Sequence, residues 1–331
     1  MRIVPYQASC AEDWNRLVEE AKNGYFLWNR NFMDYHADRF EDCSLMAYEG
    51  DRLLAALPAH RDGRTVCSHG GLTYGGLILS RSVTVRQTLE AWCGMVKWYI
   101  GHLQASRMVY KPIPYIYSSY PSEEMLYVLF RSGAVLKARA LSSTLPLREP
   151  LPLRTLRMRG VKKAMRGGWQ VVEDRNGESL VRFWNILEEV LACRHQIKPV
   201  HTVEEMELLR GRFPEQIRLF TVRRDDCMAG GCVVFVTPAV VHIQYIAANE
   251  EGRACGALDL LFHHLITERF SQAAYLDFGV STEDGGRWLN EGLVFQKEGF
   301  GGRGVCYDTY EIDFANGHLA ALLNEYDNGR D

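Results

Sequence analysis

The sequence lacks a long apolar run, and its amino terminus lacks the apolar stretch of a signal peptide. No window approaches the roughly 18–20 apolar residues that a membrane-spanning helix needs. The nine cysteines are scattered and never spaced as CxxC. This pattern argues against a disulfide framework and against a cysteine zinc site. We therefore expect a reduced, cytoplasmic protein that does not insert into membranes.

A strong charge of either sign is also missing. The formal net charge is −3, so any binding of nucleic acid would have to depend on a local basic cluster. The motifs GxSxG and GxxxxGKS/T are absent, which counts against serine hydrolases and P-loop nucleotide hydrolases. The histidine pairs His195/His201 and His263/His264 lack the spacing of metal ligands, so we predict no metal site.

The length and composition are sufficient for two domains. The chain has 331 residues, of which 47% are hydrophobic, and this size favours two cores over one. The two halves show a similar order of predicted strands and helices, with three prolines between Leu145 and Arg154 that favour an extended connector. We place the boundary near Pro150. The prediction is two domains, residues 1–150 and 151–331, each an α/β or α+β layer fold with helices covering a mixed central sheet.

Apolar periodicity and turn residues predict the individual elements. Those that bear on the arguments below are strands Gly71–Leu79, Ala239–Ala247 and Ala274–Phe278, and helices Asn31–Phe40, Val203–Arg212, Cys255–Phe270, Gly286–Glu291 and Ala315–Asp331.

A basic stripe follows the connector directly. On a helical wheel its four cations fall within about 100° of one another, and they are Arg159, Lys162, Lys163 and Arg166. Val161, Ala164 and Met165 occupy the opposite side. The stripe is either a solvated helix face or a binding site for the phosphates of a substrate, and both interpretations stay open.

A second pattern is the glycine-containing segment between two predicted strands. Residues 240–259 read as a strand, a turn and the start of a helix. A helix start presents backbone N–H groups and a positive dipole end, which suit an acyl donor's phosphate or carbonyl oxygen. The following strand ends near Asp277, so both features are expected at one edge of the sheet, where open α/β sheets bind ligands.

These motifs resemble the GNAT acetyltransferases and, more closely, the tandem-domain FemAB-type aminoacyltransferases. The resemblance depends on Arg157–Gly168, Gly252–Ala257, Tyr275–Gly279 and Phe295–Gly301. It implies two tandem GNAT-like domains, an acyltransferase activity, and an acceptor held between the domains. The implied acceptor is an amine of a small molecule, a nucleotide sugar or a peptidoglycan precursor.

The resemblance also implies how the donor is bound. It implies no permanently bound cofactor and a donor that is either acyl-coenzyme A or aminoacyl-tRNA, so that tRNA is a possible partner. The implied donor-binding residues are Gly252, Arg253, Cys255, Gly256 and Ala257. Leu258 departs from the small residue that ends the family's loop pattern, so the identity of the donor stays open.

Acyl transfer to an amine needs a proton acceptor and stabilisation of a tetrahedral oxyanion. By the resemblance, Lys297 lies beside the reacting acyl group and supplies positive charge. Asp277 or Glu283 would accept the amine proton, and Tyr245 would orient the substrate or protonate the leaving group. The alternatives are a loop cap for Asp277, a solvated position for Glu283, a surface lysine for Lys297 and core packing for Tyr245.

The first half contains its own cluster, Cys67–Leu77, with two glycine pairs flanking Thr73 and Tyr74. Glycines in a strand mark bulges or close backbone approach. His69 and Tyr74 either belong to a packed sheet or line an acceptor pocket. Two competing functions also stay open, a catalytically silent binding protein with this fold and a nucleic-acid-binding protein that uses the basic helix. The sequence does not indicate an oligomeric state.

Overall fold

The computed structural model describes residues 1–327, apart from the side chains of Arg194 and His195. Its eleven α-helices are α1 Ala11–Glu20, α2 Arg30–Met33, α3 Val85–Leu103, α4 Glu124–Arg131, α5 Thr155–Arg166, α6 Leu180–His195, α7 Val203–Arg212, α8 Glu250–Cys255, α9 Ala257–His264, α10 Glu291–Glu298 and α11 Gly317–Asp327. None of these helices is long and apolar enough to cross a bilayer. The part of the predicted final helix beyond Asp327, and the side chain of His195, lie outside the described residues.

The strands are interspersed among these helices. They are β1 Arg2–Pro5, β2 Glu41–Asp42, β3 Leu45–Glu49, β4 Arg52–Leu57, β5 His60–Asp62, β6 Thr65–Cys67, β7 Ile78–Leu79, β8 Arg107–Tyr110, β9 Val135–Pro146, β10 Gln170–Asp174, β11 Ile217–Arg224, β12 Cys227–Val236, β13 Val240–Ala248, β14 Tyr275–Val280, β15 Thr282–Glu283, β16 Trp288–Leu289 and β17 Arg303–Asp313.

The described chain divides into two compact units. Unit 1 contains Met1–Ala140, Asp284–Arg287 and Cys306–Asp331, and unit 2 contains Leu141–Glu283 and Trp288–Val305. These ranges differ from the predicted division at residue 150, because the carboxyl-terminal part of the chain returns to unit 1. There Tyr310 to Asp313 of β17 pair antiparallel with β8, and Leu319 and Leu322 of α11 are buried in the same apolar core.

Within unit 1, β1, β3, β4 and β7 form an antiparallel sheet. A second set runs in the order β17, β8, β6, β5 and β2, with β6 and β8 parallel. Helices α3, α4 and α11 contribute to one apolar core, which includes the buried side chains of Trp92 and Val128. The unit is therefore a mixed sheet structure covered by helices, as the sequence predicts.

Unit 2 carries a six-strand order of β10, β11, β12, β13, β14 and the second half of β9. All neighbouring strands in this order are antiparallel except β13 and β14, which are parallel. On α5, Val161 and Ala164 are buried in the apolar core as predicted, whereas Met165 is 58% exposed. Helix α7 begins at the predicted residue because Thr202 and Glu205 form a capping box at its start.

Three of the predicted elements are wrong in extent. In 71–79 only Ile78–Leu79 is a strand, because Gly76 has φ +99° and the segment before β7 turns instead of extending. In 31–40 only the first turn is α-helical, since His36 leaves helical geometry with φ −125°. The helix predicted at 286–291 begins instead at Glu291, where the Asn290 side chain caps it.

One helix crossing in unit 2 depends on two glycines. Gly256 separates α8 from α9 with φ +85°, and a Cβ atom on it would lie 2.7 Å from the carbonyl oxygen of Gly160 in α5. Helices α5 and α9 therefore approach each other through bare backbone at this point.

The Gly256→Ala variant is expected to lose about 2 kcal/mol of unfolding free energy, because the new Cβ meets both a left-handed backbone and Gly160. Gly211→Ala is the matched control, since Gly211 lies in α7 with no atom within 4 Å of its Cβ position. This control should gain roughly 0.5–1 kcal/mol from helix propensity. Denaturant unfolding of both variants checks the prediction, and equal effects would contradict the close approach.

Candidate functional site

The two parallel strands of unit 2 pair over only three residues. Val240 to His242 of β13 lie opposite Tyr275 to Asp277 of β14, and β13 then continues to Ala248 without a further described partner in β14. The pairing stops where Gly279 adopts φ +73° and where the register between β14 and β9 shifts. We call the point beyond His242 and Asp277, where these strands stop pairing, the fork.

A buried acid and a histidine occupy the last pair before the fork. The carboxylate of Asp277 is fully buried, and its Oδ2 lies 2.8 Å from Nδ1 of His242. Its Oδ1 accepts hydrogen bonds from the hydroxyls of Ser142 and Thr144. Because residues paired across neighbouring strands share a face, the registers of β13, β14 and β9 bring these groups together.

The geometry also selects a tautomer for the histidine. With Nδ1–H donating to Asp277, the neutral imidazole of His242 carries its lone pair on Nε2. A carboxylate in this position orients the ring so that Nε2 can take a proton. The pair therefore has the arrangement of an oriented general base.

Lys297 reaches the same loop from the last turn of α10. Its Nζ donates to the carbonyl oxygens of Gly279 and Val280, each at 2.8 Å, and to Oγ of Ser281 at 2.7 Å. Burial lowers the pKa of Lys297 to about 8, although the nearby charge of Asp277 acts in the opposite direction. At neutral pH the side chain is therefore mainly a cation, and it titrates close to the working range of an enzyme.

Gly279 links the lysine to the acid and histidine. A Cβ atom on Gly279 would lie 3.5 Å from Cε1 of His242, while the carbonyl of the same residue accepts from Lys297. A proton acceptor and a titratable cation thus border one glycine at the fork. This combination suits a reaction that removes a proton from a nucleophile and develops negative charge on an oxygen.

The other two predicted catalytic residues make different contacts. The hydroxyl of Tyr245 lies 2.6 Å from Nδ1 of His201, its ring packs edge-on against Trp184, and burial raises its pKa. Glu283 is exposed and accepts a hydrogen bond from Asn290 at 3.2 Å. These contacts do not join either side chain to Lys297 or Asp277, and the catalytic roles of Tyr245 and Glu283 stay predictions.

The backbone N–H groups of the predicted donor-binding segment are hydrogen-bonded within the chain. The helix predicted to begin at Cys255 is preceded by a separate helix, α8, which begins at Glu250. Its cap residue Asn249 accepts the Gly252 N–H on Oδ1 at 2.8 Å. The N–H of Arg253 bonds to the Asn249 carbonyl and that of Gly256 bonds to the Gly252 carbonyl. These three amides therefore already have acceptors within the chain.

The two remaining residues of this segment are also enclosed. Cys255 is half-buried, and burial raises the pKa of its thiol. Ala257 is fully buried at the first turn of α9. Their predicted role in donor binding stays a prediction.

The four cations of the basic stripe are exposed on α5, as the wheel predicts. They are Arg159, Lys162, Lys163 and Arg166. The ion pairs described for residues 1–327 give none of them a carboxylate partner. On the inner side of the same helix Arg157 instead pairs with Asp259 at 2.9 Å and lies over the ring of Phe300. Helix α5 thus carries an ion-paired arginine on its inner side and four exposed cations without a described carboxylate partner on its outer side.

The predicted acceptor residues of the first half are buried in unit 1. His69 is 4% exposed, and burial together with the neighbouring imidazoles of His36 and His60 lowers its pKa to about 3. The hydroxyl of Tyr74 bonds to that of Tyr117 at 2.6 Å. Both side chains belong to packed aromatic groups, so their role in acceptor binding stays a prediction.

Sequence reasoning missed three residues of the fork, His242, Ser142 and Thr144. His242 stands in an apolar strand without any local motif, and the two hydroxyl residues are far from Asp277 along the chain. Only strand register brings them together, and a single sequence carries little register information. Among the described residues no cluster of His, Cys, Asp or Glu has the geometry of a metal site.

Comparisons with known proteins agree with this fold. A family model described as an acetyltransferase (GNAT) domain matches residues 154–285. No curated protein sequence matches the chain. Among solved structures, FemX is similar with a TM-score of 0.67 at 11% identity, covering 95% of this chain and 97% of FemX.

Two further structures extend the comparison. The structure of L-PGS from Bacillus licheniformis has a TM-score of 0.62 at 11% identity and covers 97% of both chains. A tandem GNAT protein from the clavulanic acid biosynthesis pathway has a TM-score of 0.50 at 13% identity, covering 96% of this chain and 99% of its own. The predicted fold class and resemblance are confirmed. Residues 154–285 match a GNAT acetyltransferase domain model, and the chain as a whole has a fold similar to those of FemX and the tandem GNAT protein.

Proposed function

We propose that the protein transfers an aminoacyl group from aminoacyl-tRNA to the primary amine of an acceptor by direct attack. The observation that carries the proposal is the meeting of the His242–Asp277 pair and Lys297 at Gly279. The amine nitrogen forms a bond to the acyl carbonyl carbon, and Nε2 of His242 takes the amine proton. The ester C–O bond then breaks, and the ribose oxygen leaves with that proton.

Lys297 stabilises the oxyanion in this proposal. An ammonium group has three donors, and all three already have acceptors in the loop at 279–281. The oxyanion takes the place of one of these acceptors, most readily the Ser281 hydroxyl, which can rotate away. The remaining two bonds keep Nζ at the fork during the reaction. Positioned donors of this kind contribute mainly to the transition state.

The residues packed at the start of α9 support aminoacyl-tRNA as the donor in preference to acyl-coenzyme A. The Gly160 backbone packs on Gly256, and the Asp259 carboxylate in the first turn is held by Arg157. A pyrophosphate bound there would meet both backbone and negative charge. The outer face of α5, with four unpaired cations, instead suits the phosphates of an extended polyanion.

A second candidate donor is acyl-coenzyme A. It is favoured by the family match, since acyl-coenzyme A is the usual donor of GNAT domains. Under this alternative the amides of the Gly252–Ala257 segment would have to exchange their present acceptors for phosphate oxygens. A protein that keeps the fold and only binds its ligand is the remaining alternative, and it predicts no turnover with either donor.

The acceptor is proposed to be an amine on a cell-wall precursor peptide or on a nucleotide sugar, which is what the FemAB resemblance implies. The test is amine-dependent release of radiolabelled amino acid from a mixed aminoacyl-tRNA pool, run in parallel with labelled acetyl-coenzyme A. Transfer from tRNA alone supports the proposal. Transfer from acetyl-coenzyme A alone supports the second candidate, and no transfer from either contradicts the catalytic assignment.

Replacing His242 by glutamine should lower kcat by about 10²–10⁴-fold, because the proton acceptor is lost while the polar side chain remains. Asp277→Asn should also lower kcat, since an amide no longer enforces the base-competent tautomer. The control is His264→Gln, because the half-buried imidazole of His264 pairs with Glu268 in the turn that follows α9. Steady-state rates with saturating acceptor separate the three variants, and unchanged kcat in His242→Gln would exclude this base.

A further inference from the structure

A cleft lies at the edge of the unit 2 sheet, where strand β10 ends and strand β11 begins. Its volume is about 670 Å³, which is within the range of small-molecule sites. Helix α7 and the turn that follows α9 contribute further walls. Four arginines line it, and they are Arg175, Arg210, Arg218 and Arg269.

The last two residues of β10 direct their carboxylates to opposite faces of the sheet. Successive side chains of a strand alternate in direction, and both Glu173 and Asp174 pair with β11. On one face Arg210 of α7 donates to Oδ2 of Asp174 at 3.1 Å and to the Asp174 carbonyl oxygen at 2.6 Å. This wall of the cleft therefore contains one cation and one carboxylate, whose charges balance.

The other carboxylate faces three arginines. Arg218 of β11 donates to Oε1 of Glu173 from Nε at 2.7 Å and from Nη2. Nη2 of Arg175 and Nε of Arg269 each lie 3.5 Å from Oε2 of the same carboxylate. Burial acts to raise the pKa of Glu173, but the three guanidinium groups lower it overall. The carboxylate is therefore ionised at neutral pH, and this group of four side chains keeps an excess of two positive charges.

The guanidinium groups keep donors for a further anion. The 3.5 Å distances from Arg175 and Arg269 exceed the roughly 2.7–2.9 Å of a charge-assisted hydrogen bond. Within residues 1–327 no acceptor is described for Nη1 of Arg218 or for either Nη of Arg269. The ring of Phe270 lies 5.7 Å from the Arg218 guanidinium and 4.8 Å from that of Arg269. This aromatic contact holds both cations at the cleft.

The turn that carries Arg269 has an uncommon geometry. Helix α9 ends at His264, and Leu265–Arg269 continue it as a single π-helical turn. Such turns are rare and are often found at functional sites. Because a π turn contains more residues than an α turn, it changes the direction in which the last side chains leave the helix. Here Arg269 lies in the wall of the cleft beside Glu173.

We propose that this cleft binds the phosphate monoester of a small molecule that carries hydroxyl or amino groups. A phosphate monoester has three acceptor oxygens and a charge close to −2, which matches three guanidinium groups with an excess of two positive charges. A planar carboxylate offers only two oxygens to donors that arrive from a strand end, a neighbouring strand and a helical turn. Two exposed carboxylates of the cleft, Glu207 and Glu215, accept hydrogen bonds from the rest of the ligand.

This site is separate from the fork and does not depend on the proposed function. Ile217 lines the cleft and pairs with Phe235 of β12, and Phe235 pairs with His242 of β13. The cleft therefore lies two strands away from His242, which is about 10 Å at the usual strand spacing. Its ligand can be studied without an acyl donor or an acceptor amine.

Calorimetric titration of the full chain with ribose 5-phosphate tests the site. Ribose 5-phosphate should bind, inorganic phosphate should compete with it, and ribose should not bind. Arg175→Gln and Arg269→Gln should each weaken binding about tenfold, because each removes a charge-assisted contact. Arg182→Gln is the matched control and should leave binding unchanged, since this exposed arginine of α6 donates to the Asp226 carbonyl.

Glu173→Gln should have the opposite effect. The amide keeps an oxygen for Arg218 but removes the negative charge that faces Arg175 and Arg269, so ribose 5-phosphate should bind more tightly. Because Arg175 is 76% exposed, its replacement tests the site even if Arg269→Gln fails to fold.

Three results would overturn the proposal. The first is that neither ribose 5-phosphate nor inorganic phosphate binds. The second is that Arg175→Gln binds ribose 5-phosphate as tightly as the wild type. The third is that deacylated tRNA displaces ribose 5-phosphate, which would assign the cleft to tRNA instead of a small molecule.

Discussion

Replacing Lys297 by methionine is expected to lower kcat by about 10²–10³-fold, because the variant lacks the cation that we propose stabilises the developing oxyanion. The methionine keeps most of the apolar length of the side chain, so the effect reports the charge and its donors. Lys297→Arg retains the charge and should keep a measurable part of the activity. Lys137→Met, which removes an exposed lysine paired with Glu311 in unit 1, is the matched control and should change kcat little.

The pH dependence gives this prediction a second readout. The pKa of Lys297 is lowered to about 8 by burial, so the charge that we propose stabilises the oxyanion disappears as the pH rises through 8. The wild-type kcat should therefore fall on the alkaline side near this pH. The arginine variant should move that fall to a higher pH, because a guanidinium stays charged. An alkaline limb that persists unchanged in Lys297→Arg would assign it to another group.

The same shift has a consequence for stability. The folded pKa of about 8 lies below the ordinary lysine value of 10.5, so between these values the unfolded chain binds more protons. The free energy of unfolding contributed by this residue therefore rises with pH over that interval, by at most about 1.4 kcal/mol per pH unit. Denaturant unfolding of wild type and Lys297→Met across the interval should show the rise only in the wild type.

Neutralising the basic stripe is expected to have the second large effect. The quadruple variant with glutamine at Arg159, Lys162, Lys163 and Arg166 should bind aminoacyl-tRNA weakly at physiological salt. Each phosphate contact that is lost should reduce the slope of log affinity against log salt by about 0.7–0.9. The expected total loss of slope is thus close to 3, and filter binding at several salt concentrations measures it.

The stripe prediction separates donor binding from catalysis. The control is Arg86→Gln with Lys97→Gln on α3 of unit 1, which removes two surface cations that have carboxylate partners. A quadruple variant that still transfers the aminoacyl group at saturating donor, with raised KM, supports a binding role. If the tRNA affinity of the quadruple variant depends on salt as strongly as that of the wild type, the stripe is a solvated helix face and not a binding site.

Local signals in the sequence predicted much of unit 2. Helix α7 follows from its capping box, and the exposed stripe on α5 follows from helical spacing with Val161 and Ala164 inside. Lys297 was predicted as a site residue from its motif, because a lysine among aromatic residues and glycines stands out without structural information. The strand containing Asp277 was predicted close to its observed bounds.

The residues of the fork that the sequence did not predict are brought together by pairing between distant strands. The strand register that joins His242, Asp277 and Thr144 involves residues far apart in the chain. Nothing within β13 marks His242 as the neighbour of an acid. The helix predicted at 286–291 failed for a local reason, because Gly285 and Gly286 have φ values of +63° and +93°. Glycine tolerates both helical and left-handed backbone, so its sequence pattern does not decide between them.

The sequence by itself determined the fold class, the acyltransferase resemblance and the amphipathic character of α5, since each depends on short-range periodicity or a contiguous motif. Only the tertiary structure decided which residues meet at the fork, because antiparallel and parallel pairing bring together side chains from three strands. It also decided that Gly160 and Asp259 fill the start of α9. That contact between helices α5 and α9 requires the packing of segments almost a hundred residues apart.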